Sequence, residues 1–170
     1  MKIYKLNDTQ VIDKKFEFID LLIDNDLELK EKILNLSNAY EQLILTPLAL
    51  HKLIEKLFDK LDMSINFSRV GDNNARYDAK LAVPNETFDG IIEIEVPSTA
   101  MLDAPRNLLD DIAVASNRNG LPLERIVPIV ICWTLPNNRT DYWNVINDVK
   151  NILGIKIKTL PIMAIVCSAK

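Results

Sequence analysis

Arg76-Tyr77-Asp78-Ala79-Lys80-Leu81 and, one short loop later, Gly90-Ile91-Ile92-Glu93-Ile94-Glu95-Val96 are apolar runs broken by acids. Both have the alternation and aliphatic content of β-strands. Side chains on a strand point to opposite faces in turn. Arg76, Asp78, Lys80 and Ala82 therefore share one face of the first strand, and Ile91, Glu93 and Glu95 share one face of the second. An unpaired buried carboxylate is strongly unfavourable, so acids in such runs call for partners. If the strands are paired neighbours, Asp78, Lys80, Glu93 and Glu95 converge. Asp78, Glu93 and Glu95 are then a ligand set for a hard divalent cation, Mg²⁺ or Mn²⁺. Such a cation lowers the pKa of bound water and neutralises charge on a phosphate oxygen. The competing reading is a set of cross-strand ion pairs on a solvent-facing hairpin. The helix that follows, with its own apolar stripe, is expected to cover one face of the sheet and leave little of it open, which disfavours that reading.

The flanking sequence predicts the rest of the architecture. Upstream, Val11, Ile12, Phe16, Ile19 and Leu22 recur at helical spacing after the cap residue Thr9, and a second run carries Leu29, Ile33, Leu36, Tyr40 and Leu43. Thr46-Pro47 starts a third helix, which buries Leu50, Leu53, Ile54, Leu57, Phe58 and Leu61. After Asp62 the period changes to two, and Ile65 to Val70 reads as a strand closed by a turn at Gly71-Asp72-Asn73-Asn74. Downstream, Asp103 and Pro105 open a helix with Leu108, Leu109, Ile112 and Ala115, ending near Asn119-Gly120. A buried strand over 127–134, a helix capped by Thr140, and a final buried strand over 162–167 follow. This order predicts an α/β fold: one domain over 1–170, with a helical part (1–62) and a mixed-sheet core flanked by helices (63–170).

At 170 residues, with 48% hydrophobic and 26% charged side chains, the chain has the composition of a globular domain. Its four glycines, at 71, 90, 120 and 154, cannot build a Gly-rich phosphate loop, which excludes the common nucleotide-binding motifs. A net charge of −4 leaves nucleic-acid binding to a local basic face. Cys132 and Cys167 lie in apolar, strand-like runs without neighbouring ligands and read as buried thiols. Residues 1–8 lack a signal-peptide core, and no apolar run approaches the roughly 18 residues of a membrane span. A cytoplasmic, reducing location without membrane contact is the expectation.

The two acidic strands, in this strand order, resemble the PD-(D/E)XK nuclease superfamily, which includes many restriction endonucleases. The resemblance covers roughly Ser64 to Lys170. Tyr77-Asp78 stands at the Pro-Asp position and Glu93-Ile94-Glu95 at the (D/E)-x-K position, with glutamate in place of lysine, as in some active members. The resemblance implies a restriction-endonuclease-like fold and a Mg²⁺- or Mn²⁺-dependent endonuclease, with DNA favoured over RNA as substrate. It implies Asp78 and Glu93 as metal ligands and Glu95 as a third ligand or water-orienting base. Lys80 is the nearest electrostatic partner, since no lysine occurs from Leu81 to Val149. Small nuclease domains of this kind commonly act as homodimers or with a partner subunit. A catalytically inactive domain serving as a binding or assembly module is the main alternative.

His51, the single histidine, and Glu55 one turn on are possible further metal or water contacts from the preceding helix. Viral cap-snatching RNA endonucleases are similar in having a helix histidine ahead of the acidic pair. Arg76, Arg106, Asn107 and Arg118 are candidate nucleic-acid contacts, the middle two at a helix start that favours anions. Trp133 and Trp143 read as core or boundary aromatics.

Overall fold

The computed structural model describes residues 19–44, 46–69, 71, 75–97 and 101–169. The expected start of the first helix (Thr9, Val11, Ile12, Phe16), Val70 and turn residues 72–74 lie outside them. The chain divides into two compact units, one reaching Leu61 and resuming at Met163, the other spanning Asp62–Ile162. The first boundary falls where the hydrophobic period changes from helical to strand-like.

In the first unit residues 19–22 are helical and bury Ile19 and Leu22. Helix α1 (Leu29–Ile44) packs against α2 (Pro47–Asp59). Leu36, Ala39 and Leu43 form the buried arc of α1, while Leu29 is exposed, so the stripe begins later than the leucine spacing implies. Helix α2 starts as expected, with Thr46 as N-cap and Pro47 in the first turn. The Thr46 carbonyl accepts the Ala49 and Leu50 N–H groups at 2.9 and 3.2 Å, although its hydroxyl makes no capping bond. Leu50, Leu53, Ile54, Leu57 and Phe58 are buried along one face.

The second unit is built on a five-stranded mixed sheet in the order β1 (Ser64–Phe67), β2 (Ala79–Ala82), β3 (Asp89–Glu95), β4 (Ile126–Cys132), β5 (Lys158–Pro161). The first three strands form an antiparallel meander, and β3, β4 and β5 run parallel. Parallel neighbours need crossover connections. These are supplied by α3 (Ala104–Asn119) and α4 (Asp141–Leu153), each ended by a left-handed glycine, Gly120 (φ 67°) and Gly154 (φ 72°). Both helices pack on the sheet face that carries Ile91, Val130 and Cys132, through Ala104, Leu108, Ile112 and Ala115 of α3 and Tyr142 and Val149 of α4. Pro128 is tolerated inside β4 because β5 pairs with β4 only from Ile129 onward, leaving one flank open there.

Asp89 opens β3 and is almost fully buried, with 7% of its surface exposed. Lys80 Nζ lies 2.7 Å from its Oδ1 and Arg125 Nη2 3.1 Å from its Oδ2, the latter without hydrogen-bond alignment. Arg125 Nε also donates to the Thr87 carbonyl at 2.5 Å. This clamp ties the start of β3 to β2 and to the approach to β4.

The last apolar run departs from expectation. Residues 162–167 do not form a strand: β5 comes earlier, and α5 (Ile162–Ser168) takes up the run. A short, uniformly apolar segment fits either structure by periodicity. What decides is the ladder, since Pro161 pairs with Cys132, the last residue of β4, and no strand remains to extend along. Cys132 is buried as expected, whereas Cys167, now on a helix, is exposed.

Gly90 lies opposite Leu81 on β2, where a β-carbon would stand 2.8 Å from the Leu81 Cβ and 3.3 Å from Ile129 Cδ1. Neither the Leu81 Cβ nor the paired backbone can swing away. Gly90→Ala is expected to destabilise the fold by about 1–3 kcal/mol through overpacking. A urea denaturation midpoint unchanged from wild type would refute this.

Candidate functional site

Asp78 stands one residue before β2. Its N–H donates to the Ile92 carbonyl at 3.0 Å and its carbonyl accepts the Ser68 N–H at 2.8 Å, so its backbone is held between neighbours on both sides. Its Oδ2 accepts the Ile94 N–H of β3 at 2.7 Å. The side chain thus takes over the ladder bond that β2 would have made had it begun earlier.

Alternation along β3 puts Asp89, Ile91, Glu93 and Glu95 on the face beneath α3, as the core contacts of Ile91 confirm. Glu93 Oε1 accepts a hydrogen bond from Asn107 Nδ2, on the second turn of α3, at 2.9 Å. Burial pushes the Glu93 pKa up, that hydrogen bond opposes the rise, and Asp78 adds to it. Glu95, only 7% exposed, is pushed up to about 7 by burial first, then by the charges of Glu93, Asp78 and Asp103. Asp78, Glu93 and Glu95 are therefore electrostatically coupled.

A fourth acid joins them. Asp111, on the inner face of α3, is 4% exposed, and its Oδ2 has no hydrogen-bond partner among the described residues. Its pKa is raised to about 7 by burial and by the charges of Glu93, Asp78 and Asp110, with Arg76 opposing. It is not among the site residues expected from the sequence. The signal was present: residues 104, 108, 111 and 115 are spaced 4, 3 and 4 apart, so Asp111 sits in the middle of the Ala104–Leu108–Ala115 stripe.

The other expected residues are placed differently. Lys80 shares the carboxylate face, but its ammonium is held by Asp89, which lies one residue before the expected start of the strand at Gly90. Asn107 is engaged by Glu93 and Arg76 pairs with Asp110 at 2.8 Å. Arg106 contacts Asp103 (3.3 Å), the Leu102 carbonyl (3.2 Å) and Asp141 (3.9 Å), and so ties the starts of α3 and α4 together. Arg118 is exposed near the end of α3. His51 and Glu55 lie on α2, in the helical unit, where Glu55 pairs with Lys52 at 2.7 Å. Trp133 is buried, and Trp143 donates to the Pro136 carbonyl at 3.3 Å while packing edge-on to Tyr142.

The donors are hard oxygens, and no cation is among the groups that shift Glu93 or Glu95. That chemistry fits Mg²⁺ or Mn²⁺. Among the described residues no three acidic, histidine or cysteine side chains stand close enough together to cage an ion. Mg²⁺ does not require such a cage: it commonly keeps several waters and binds through one or two carboxylates plus substrate phosphate.

The raised pKa values fix the sign of a pH effect. Below the ordinary carboxylate values of 4.5 for Glu95 and 3.8 for Asp111, the folded and unfolded chains are both protonated there. As pH rises toward about 7 the unfolded chain ionises first, so these groups lower stability across that window. Relative to wild type, Glu95→Gln and Asp111→Asn should gain thermal stability as pH goes from 4 to 7.5, each kcal/mol moving Tm by roughly 2–4 °C. Parallel Tm–pH curves for variant and wild type would contradict these shifts.

No protein-family model matches this chain, and no curated protein or solved structure shows significant similarity to it.

Proposed function

We propose that this chain is a metal-dependent endonuclease of the restriction-endonuclease-like type, hydrolysing phosphodiester bonds, with DNA favoured over RNA. The observation that carries this reading is the placement of Asp78, Glu93 and Glu95 on one sheet face, where Asp78 raises the proton affinity of Glu93 and both raise that of Glu95. The order of the sheet, an antiparallel meander followed by parallel strands, supports it. So does the position of the acids toward the carboxyl end of β3, the end of a parallel strand at which open α/β sheets bind ligands.

In this reading Asp78 and Glu93 would hold the cation, Asp78 oriented by the Ile94 N–H and Glu93 by Asn107. The bound cation would activate water and neutralise charge on the phosphate. Glu95 would orient that water and take its proton. Lys80 has no part in the chemistry, because Asp89 holds its ammonium. The exposed guanidiniums of Arg106 and Arg118 on α3 are the candidate phosphate contacts.

A second reading is a binding or assembly module that keeps the fold without catalysis. The absence, among the described residues, of a three-sided ligand set favours it, as does the glutamate at the position of the motif lysine.

Calorimetric titration with Mn²⁺ separates the two. The nuclease reading expects heat on wild type and none on Asp78→Ala, with Mn²⁺ raising the wild-type Tm, because a ligand specific to the folded state stabilises it. On plasmid DNA, Glu93→Ala is expected to abolish cleavage and Glu95→Gln to slow it by about 10²–10⁴-fold. Single-stranded RNA, tested alongside, decides the substrate class. A wild-type protein that takes up no Mn²⁺ ends the nuclease reading.

A further inference from the structure

Asp111 occupies a position that packing alone would give to an aliphatic residue. Ala104, Leu108 and Ala115, its partners on the inner stripe of α3, are all fully buried. A carboxyl group there loses water, and its Oδ2 receives no hydrogen bond among the described residues in return. Leaving a buried acceptor unsatisfied costs about 1–3 kcal/mol, more when it is charged. Such orphans in a folded protein mark an unseen water, an ion or a functional group.

The neighbours of Asp111 say which. Asn107 is one turn earlier on the same face of α3, and it holds Glu93. The charges of Glu93 and Asp78, the two proposed cation ligands, both reach Asp111. Arg76, the cation that acts on it, is already paired to Asp110. Helix α3 therefore brings to the sheet one amide that fixes a ligand and one acid whose oxygen is unspoken for.

We propose that Asp111 is a fourth carboxylate of the candidate metal site and a ligand to the divalent cation, supplied by α3 where the other three acids come from the sheet. The proposal rests on the metal-dependent reading above. The charges of Glu93 and Asp78 repel that of Asp111. A divalent ion between α3 and β3 reverses that repulsion and satisfies the orphaned oxygen.

The test is Mn²⁺ affinity, by calorimetry and by the loss of the free-ion EPR signal, on the whole chain without substrate. Asp111→Asn keeps the shape of the side chain and removes its charge. Asp111→Leu fills the apolar stripe and guards against a folding defect. Asp148→Asn, an exposed acid on α4, controls for the loss of one negative charge anywhere. The expected result is Mn²⁺ binding weakened by tenfold or more in both Asp111 variants and by less than twofold in Asp148→Asn, with the Mn²⁺-induced rise in Tm reduced in step. If wild type binds Mn²⁺ and the folded Asp111 variants bind it equally well, Asp111 is a structural buried acid and this proposal falls while the nuclease reading stands. If wild type binds no Mn²⁺, both fall.

Discussion

Repulsion between like charges in a half-dry space is the constraint around which the sheet unit is organised. Asp78 raises the proton affinity of Glu93, Glu95 and Asp111, Glu93 raises that of Glu95 and Asp111, and burial amplifies the effect by removing the water that would screen it. The surroundings relieve only part of this. Asp78 is steadied by a backbone N–H and Glu93 by an amide, both neutral donors that orient a carboxylate without cancelling its charge. At the other end of the same face the solution is different: Asp89 is flanked by Lys80 and Arg125. One strand face thus carries an acid paired with two cations, which fastens the fold, and, toward its other end, two glutamates whose proton affinity is raised by burial and by neighbouring acids.

Backbone geometry delivers the acids to one place. The β2–β3 register pairs Ala79 with Ile92, so Asp78 lies beside Glu93 as soon as β2 begins. The parallel β3–β4 register sets Glu93 against Val130 and Glu95 against Cys132, an apolar floor that offers the carboxylates nothing to bond with. The crossover then returns α3 over the same face, bringing Asn107 and Asp111 with it. Moving β3 by one residue would turn both glutamates to the opposite face and Ile92 and Ile94 into the site.

Much of this was legible before any coordinates. Alternation in β3 and the shared face of Asp78 and Lys80 followed from period two, and the crossover helices from the starts at Asp103 and Thr140 and, for the first, the end near Gly120. What escaped did so for identifiable reasons. Asp89 looked like loop because Gly90 looked like the strand's first residue, and so the partner of Lys80 was missed. Asp111 was hidden by its neighbour: Asp110-Asp111 has the composition of a solvated helix face, and only the spacing to Ala104, Leu108 and Ala115 marks it as inward. The segment over 162–167 has no period to read, and its fate was set by where β4 stops, a tertiary fact.

The contrast between the two thiols has a practical side. Cys167 is exposed, so its sulfur meets an alkylating reagent directly, whereas Cys132 is fully enclosed and its pKa is pushed up to about 11 by burial. The enclosed sulfur can react only in molecules whose sheet has transiently come apart around β4. Once Cys167 has been blocked, the slow labelling of Cys132 becomes a built-in stopwatch for breathing of the sheet, timed without introducing any foreign probe.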